Sequence, residues 1–100
     1  MPRPAKRSGV RVRISRSADR QLSEIVRWGN EKFGRAAAIS YYTGMMELFD
    51  LLATAPQMSV EIRNGVRAHP YRSHVVVYRL RGDVEILYIF HGRSNWRRHL

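Results

Sequence analysis

Cysteine is absent from these 100 residues, so neither a disulfide nor a thiolate metal site can be built, and the core must hold by packing alone. No run approaches the ~20 apolar residues that a membrane span needs, which predicts no membrane partner. Met1-Pro2-Arg3-Pro4-Ala5-Lys6-Arg7-Ser8-Gly9 is basic but no apolar stretch follows it, so it does not read as a secretory signal. Together these absences predict a cytoplasmic chain. Acid is also scarce. There are 18 Lys and Arg against 8 Asp and Glu, a formal net charge of +10, and lysine supplies only 2 of the 18.

What is present is arginine, unevenly placed. Residues 1–16 carry six basic side chains and no acid, residues 17–55 are close to neutral, and residues 61–100 carry eight basic and three acidic side chains. Such a chain fits a polyanionic partner, either nucleic acid or an acidic protein. Arginine in place of lysine favours forked or stacked recognition. A hydrophobic content of 44% over 100 residues suits one modest core, so the expected organisation is a flexible basic tail over 1–9 and a single domain over 10–100.

Val10-Arg11-Val12-Arg13-Ile14-Ser15 alternates apolar and polar with period two, which predicts a strand. Ser17 is placed to cap a helix running to about Phe33, because Ala18, Leu22, Ile25, Val26, Gly29 and Phe33 share one helical face. Gly34 supplies a left-handed stop, and a second helix follows from Arg35 to Ala55, ended by Pro56. Its apolar stripe is wide: Ala38, Ile39, Tyr42, Met45, Met46, Phe49, Leu52 and Ala53. Gly44 interrupts it at a cost of about 1 kcal/mol relative to alanine, tolerable where close packing needs it.

Residues 57–65 read as a loop ending in the Asn64-Gly65 turn, before a strand at 66–69. Runs at 75–80 and 84–90 flank Gly82 and predict a tight hairpin, the second run being apolar on both faces and hence the most buried strand. The expected fold class is therefore α+β, in the order β-α-α-β-β-β, with a helical hairpin packed on one face of a small, mainly antiparallel sheet.

An ordered series of segments carries a family resemblance. It comprises Phe33-Gly34, Leu51-Leu52-Ala53-Thr54-Ala55-Pro56, Ile62-Arg63-Asn64-Gly65-Val66-Arg67, Tyr71-Arg72-Ser73-His74-Val75-Val76-Val77-Tyr78-Arg79, and Val84 through Arg93. In this order the chain resembles the ParE-type toxins of the RelE/ParE superfamily over residues 10–100, departing where Met58 and Ser59 stand in place of an early glycine after Pro56. The resemblance implies the toxin of a type II toxin–antitoxin operon. It implies neutralisation by a ParD-like antitoxin in a hetero-oligomer, expected as a heterotetramer, with operator DNA reached only through the antitoxin. The target it implies is the DNA gyrase A subunit, a replication block without catalysis.

The fold is shared with ribosome-dependent endoribonucleases of RelE type, so function has to be argued from the site. A metal-independent ribonuclease needs a base, an acid and cations at the scissile phosphate, and Arg67, Arg79, His91 and Arg93 are the candidates. For that branch the resemblance implies lysines or arginines of the sheet with a tyrosine or histidine near the C-terminal end. No tyrosine follows Tyr88 and no lysine follows Lys32, which tilts the reading toward gyrase. Target-binding candidates are Arg67, Arg72, His74, Arg79, His91, Arg93 and the tail residues Trp96, Arg97 and Arg98. Antitoxin-binding candidates are Trp28, Tyr41, Leu48 and Leu51, apolar residues flanking the helical stripes. No histidine pair has ligand spacing with a supporting carboxylate, so no metal or other cofactor is expected. The rival class, a small nucleic-acid-binding module, fits the charge but lacks a basic recognition helix.

Overall fold

The computed structural model describes residues 11–100; the expected tail over 1–9, and Val10 at the start of the first expected strand, lie outside the described residues. The elements are β1 (Val12–Ile14), α1 (Arg16–Phe33), α2 (Arg35–Thr54), β2 (Val60–Arg63), β3 (Val66–Tyr71), β4 (His74–Arg81), β5 (Asp83–His91) and a 3-10 turn at Trp96–His99. The sheet order is β1-β5-β4-β3-β2, with β1 parallel to β5 and every other neighbour antiparallel. The helical hairpin covers one face, as the sequence pattern predicts.

Ser15, not Ser17, caps α1. Its backbone is extended, its Oγ accepts from the Ala18 N–H at 3.0 Å, and the same hydroxyl donates to the Leu87 carbonyl at 2.7 Å. Such a cap contributes about 1 kcal/mol to a helix. Here it also anchors the helix start to the sheet. One face of α1 buries Ala18 and Leu22, while Arg20, Glu24, Arg27 and Glu31 stay exposed. Gly34, at φ 95°, both ends α1 and begins α2, so the helices turn back on each other at a single residue.

Helix α2 carries no charged residue from Ala36 to Met46 and is apolar around more than one face. Ala38, Met45, Met46, Leu48, Phe49 and Leu52 enter the core with Val76, Tyr78, Val84, Ile86 and Ile89 of the sheet. Leu48 is therefore a packing residue with 7% exposure, unavailable as the free antitoxin contact expected of it.

Two further expectations change. Residues 57–65 contain strand β2, because Val60 and Ile62 alternate with Glu61 and Arg63 and turn through Asn64-Gly65 onto β3. Gly65 takes φ 75°, the left-handed value this turn requires. Strand β5, expected as the most buried strand, shares that place with β4: Val84, Ile86 and Ile89 are buried in β5, and Val76-Val77-Tyr78 form a continuous buried run in β4, the middle strand.

Strand alternation turns Val75, Val77, Tyr88 and Phe90 to the face away from the helices. The C-terminal segment lies over that face. Trp96 and His99 stack on Phe90 with ring centroids 6.4 and 5.7 Å apart, and the Arg63 guanidinium donates to the Leu100 main-chain oxygen.

Gly44 is explained by contact. A Cβ there would sit 2.0 Å from the Tyr71 hydroxyl, which itself donates to the Tyr41 carbonyl at 3.2 Å. Helix propensity alone would make Gly44→Ala stabilising by about 1 kcal/mol. The expected outcome in urea denaturation is the opposite sign, a loss of about 1–3 kcal/mol from overpacking, partly recovered by adding Tyr71→Phe. A stabilised single variant would show that Tyr71 does not hold this position.

Candidate functional site

Between β1 and the two helices runs a groove of about 1020 Å³. Leu22, Val26, Ala38, Ile39, Tyr42, Met46 and Phe49 give it an apolar lining, with Val12 and Ile14 of β1 along one side. Charge stands among the lining residues too, in Arg13, Arg27 and Arg35 with Asp19 and Asp50. Ile39 is 52% exposed and Ile14 39%, so the lining is open to a partner.

The groove arises because α2 is apolar over a wider arc than the sheet and α1 together cover. None of the four antitoxin-binding candidates lines it. Leu48 is in the core, and Tyr41 is half-buried over the sheet. Trp28 lies elsewhere, edge-on to Phe33 with the Lys32 ammonium 5.9 Å from its ring, and Leu51 is exposed away from the groove. Sequence reasoning assigned Ile39 and Tyr42 to the core stripe; the excess width of that stripe was the signal that they are not all needed there.

The target-binding candidates divide between two faces. On the helix side, the Tyr41 hydroxyl and His74 Nδ1 are 2.6 Å apart, and His74 meets its cross-strand partner His91 with ring centroids 5.3 Å apart. Arg72 (φ 53°) sits in the β3–β4 turn with its guanidinium 5.8 and 5.7 Å from the Tyr41 and Tyr71 rings. His91 Nδ1 accepts from the Arg93 N–H, so its neutral form carries hydrogen on Nε2. Arg67 also faces the helix side, opposite Tyr78, and is engaged by the Ser59 carbonyl at 2.6 Å and by Glu61 at 3.6 Å.

Arg79 is on the other face, paired with Glu85 at 2.9 Å. It lines a small pocket of about 340 Å³ with Arg13, Arg81, Asp83 and Glu85. The ribonuclease set of Arg67, Arg79, His91 and Arg93 is thus not brought together, because Arg79 and His91 lie on opposite faces and both Arg67 and Arg79 are held by carboxylates. Trp96, expected as an exposed contact, is 8% exposed and packs on Phe90. Arg97 stacks over it at 4.6 Å, and Arg93, Arg97 and Arg98 are exposed. Among the described residues no group of three or more His, Asp or Glu is placed to hold a metal ion, and no helix is long and apolar enough to cross a membrane.

A family model described as the ParE toxin of the type II toxin–antitoxin system parDE matches residues 12–96. The chain belongs to the ParE toxin family. It is 32% identical over 91 residues to Toxin ParE1 of Caulobacter vibrioides, covering 88% of this chain and 95% of that one. Its fold is similar to that of a chain in the solved chromosomal ParDE system of P. aeruginosa, with a TM-score of 0.73 and 17% identity, over 83% of this chain and 96% of the other. For this ParE-family chain the match spans every strand and both helices.

Burial, and then the neighbouring His91, hold the His74 imidazole below its ordinary pKa of 6.5; burial alone does the same to His69, whose Nδ1 is 2.7 Å from the Ser59 hydroxyl. Burial also pushes the Tyr41 phenol up. A histidine harder to protonate when folded leaves the unfolded state holding more protons in acid. Its stabilising effect is complete above about pH 6.5 and is lost as pH falls through the lowered folded value. The thermal midpoint should therefore drop on acidification below about pH 6.5, and more gently in a His69→Asn, His74→Asn double variant. An identical pH slope in that variant would assign the effect elsewhere.

Proposed function

We propose that this chain is a type II toxin that inhibits DNA gyrase and is held inactive by a ParD-like antitoxin seated in the groove between β1 and the helices. The observation that carries the non-catalytic reading is the separation of Arg79 from His91, on opposite faces of the sheet. The candidates Arg67, Arg79, His91 and Arg93 therefore do not converge as the base, acid and free cation that a scissile phosphate needs. The antitoxin seat is supported by the open apolar lining at Ile14, Ile39 and Tyr42 and by a net charge of +10 that attracts an acidic partner. The P. aeruginosa structure of similar fold is itself a ParDE toxin–antitoxin system.

On this reading the complex is a heterotetramer in the cytoplasm, and operator DNA is contacted by the antitoxin. Gyrase A is met by the exposed arginines near the C-terminal turn, Arg93, Arg97 and Arg98, with Trp96 as the platform under Arg97.

Purified chain, gyrase and supercoiled DNA test this beside an mRNA cleavage assay on translating ribosomes. Inhibited supercoiling, accumulated cleaved DNA and intact mRNA are expected, with an Arg97→Ala, Arg98→Ala variant weakened about tenfold or more against gyrase. Ribosome-dependent mRNA cutting with undisturbed gyrase would replace this reading with the ribonuclease one.

A further inference from the structure

The β3–β4 turn puts an arginine where the backbone favours glycine. Tyr71 pairs with His74, so Arg72 and Ser73 are the two turn residues, and Arg72 takes φ 53°. Glycine adopts that value freely, whereas the Cβ of an arginine is strained there. Such strain persists where a particular side chain is needed in that place. The Arg72 guanidinium lies 5.8 and 5.7 Å from the Tyr41 and Tyr71 rings, on the side of the sheet that carries His74 and His91. The Gly92 N–H donates to the Ser73 carbonyl at 2.8 Å, and a Cβ on Gly92 would stand 3.2 Å from that oxygen, so the turn and the end of β5 are held in close contact.

Hydrogen bonding decides which way the two imidazoles present their protons. The histidines are cross-strand partners with ring centroids 5.3 Å apart, and each has its Nδ1 already engaged. His91 Nδ1 accepts from the Arg93 N–H, and His74 Nδ1 meets the Tyr41 hydroxyl at 2.6 Å. A phenol is a stronger acid than the N–H of a neutral imidazole, so Tyr41 donates in that contact. Both neutral rings therefore carry hydrogen on Nε2. Two N–H donors thus share this end of the sheet with a guanidinium, and among the described residues no carboxylate is paired with any of the three.

We propose that Arg72, His74 and His91 together bind a phosphate group, carried by a nucleotide or by the backbone of DNA. The two ring planes cross at 70°, so the donors do not share one plane. A planar carboxylate serves such a set poorly, whereas the tetrahedral oxygens of a phosphate accept from several directions at once. An acidic peptide is for that reason the poorer occupant. Electrostatics agree. The groups around the His74 ring are the Tyr41 phenol from α2, Tyr71 and Arg72 from the β3–β4 turn, and His91 from β5. Burial and His91 disfavour a proton on His74, and an anion held between the rings offsets both effects. The site stands whichever protein fills the groove between β1 and the helices.

Long-range proton–nitrogen NMR spectra of the histidine rings in the full chain test this, with inorganic phosphate titrated against acetate at matched ionic strength. Phosphate is expected to move the His74 and His91 Nε2 signals saturably and to raise the pH midpoint of His74, leaving His69 in place, while acetate does neither. No saturable shift, or an equal shift with acetate, overturns the proposal. Arg72→Gly relieves the turn and removes the guanidinium. Its thermal midpoint is expected to hold or rise while phosphate affinity falls about tenfold, a split that a merely structural arginine would not produce. A lowered midpoint with unchanged affinity overturns the site. His91→Gln, at an exposed position, is expected to weaken phosphate similarly, and unchanged affinity there also counts against the site. Displacement of phosphate by a deoxynucleoside monophosphate and by a short DNA duplex then identifies the source: the tighter competitor is the ligand class, and failure of both contradicts the proposal.

Discussion

Ser15 joins three parts of the molecule at one residue. Its N–H binds the Ile86 carbonyl, its carbonyl accepts the Asp19 N–H, and its hydroxyl bridges the Ala18 N–H to the Leu87 carbonyl. The three-residue strand β1, the first turn of α1 and the irregular register of β5 are therefore fixed relative to one another by a single side chain and its backbone. Among the described residues β1 is an edge strand bonded to β5 alone, and its three residues depend on that anchor to hold. The direction in which α1 leaves the sheet follows from it.

The groove follows in turn. With α1 launched from the end of β1 and α2 returned by Gly34, the hairpin stands beside an unpaired strand edge, not over a closed sheet. The apolar excess of α2 faces that space, and Ile39 and Tyr42 remain exposed. The opposite face of the sheet receives the C-terminal segment, and on the proposed reading the two faces serve different ends. One offers apolar lining and free backbone among mixed charge; the other offers arginines on a packed aromatic base. A toxin that must be neutralised by one protein and act on another has reason to keep those surfaces apart.

Much of this was legible in the residues. The period of α1, the break at Gly34 and the β4–β5 hairpin around Gly82 are local signals, and local geometry obeys them. The family series also runs through residues whose spacing the fold preserves. Strand β2 was missed although Val60-Glu61-Ile62-Arg63 before Asn64-Gly65 carries the alternation, because a short edge strand with Val60 72% exposed lacks the buried face that makes such runs conspicuous. Ser17 drew the cap assignment because the helical period is silent about the single turn preceding it. The site was less legible than the fold. Whether Leu48 or Ile39 is the free residue on α2 depends on the helix's rotation about its axis, and whether Trp96 is exposed depends on a stack with Phe90 that no pattern in the sequence announces.

The central claim is that the antitoxin and the target use opposite sides of the sheet. Hydrogen–deuterium exchange on the chain alone, with antitoxin and with gyrase measures it directly. The account predicts that antitoxin slows exchange in β1 and in the groove-lining stretches of α1 and α2, leaving residues 92–100 unchanged, and that gyrase slows exchange in residues 92–100 while β1 exchanges as in the free chain. Protection of the same residues by both partners would contradict it.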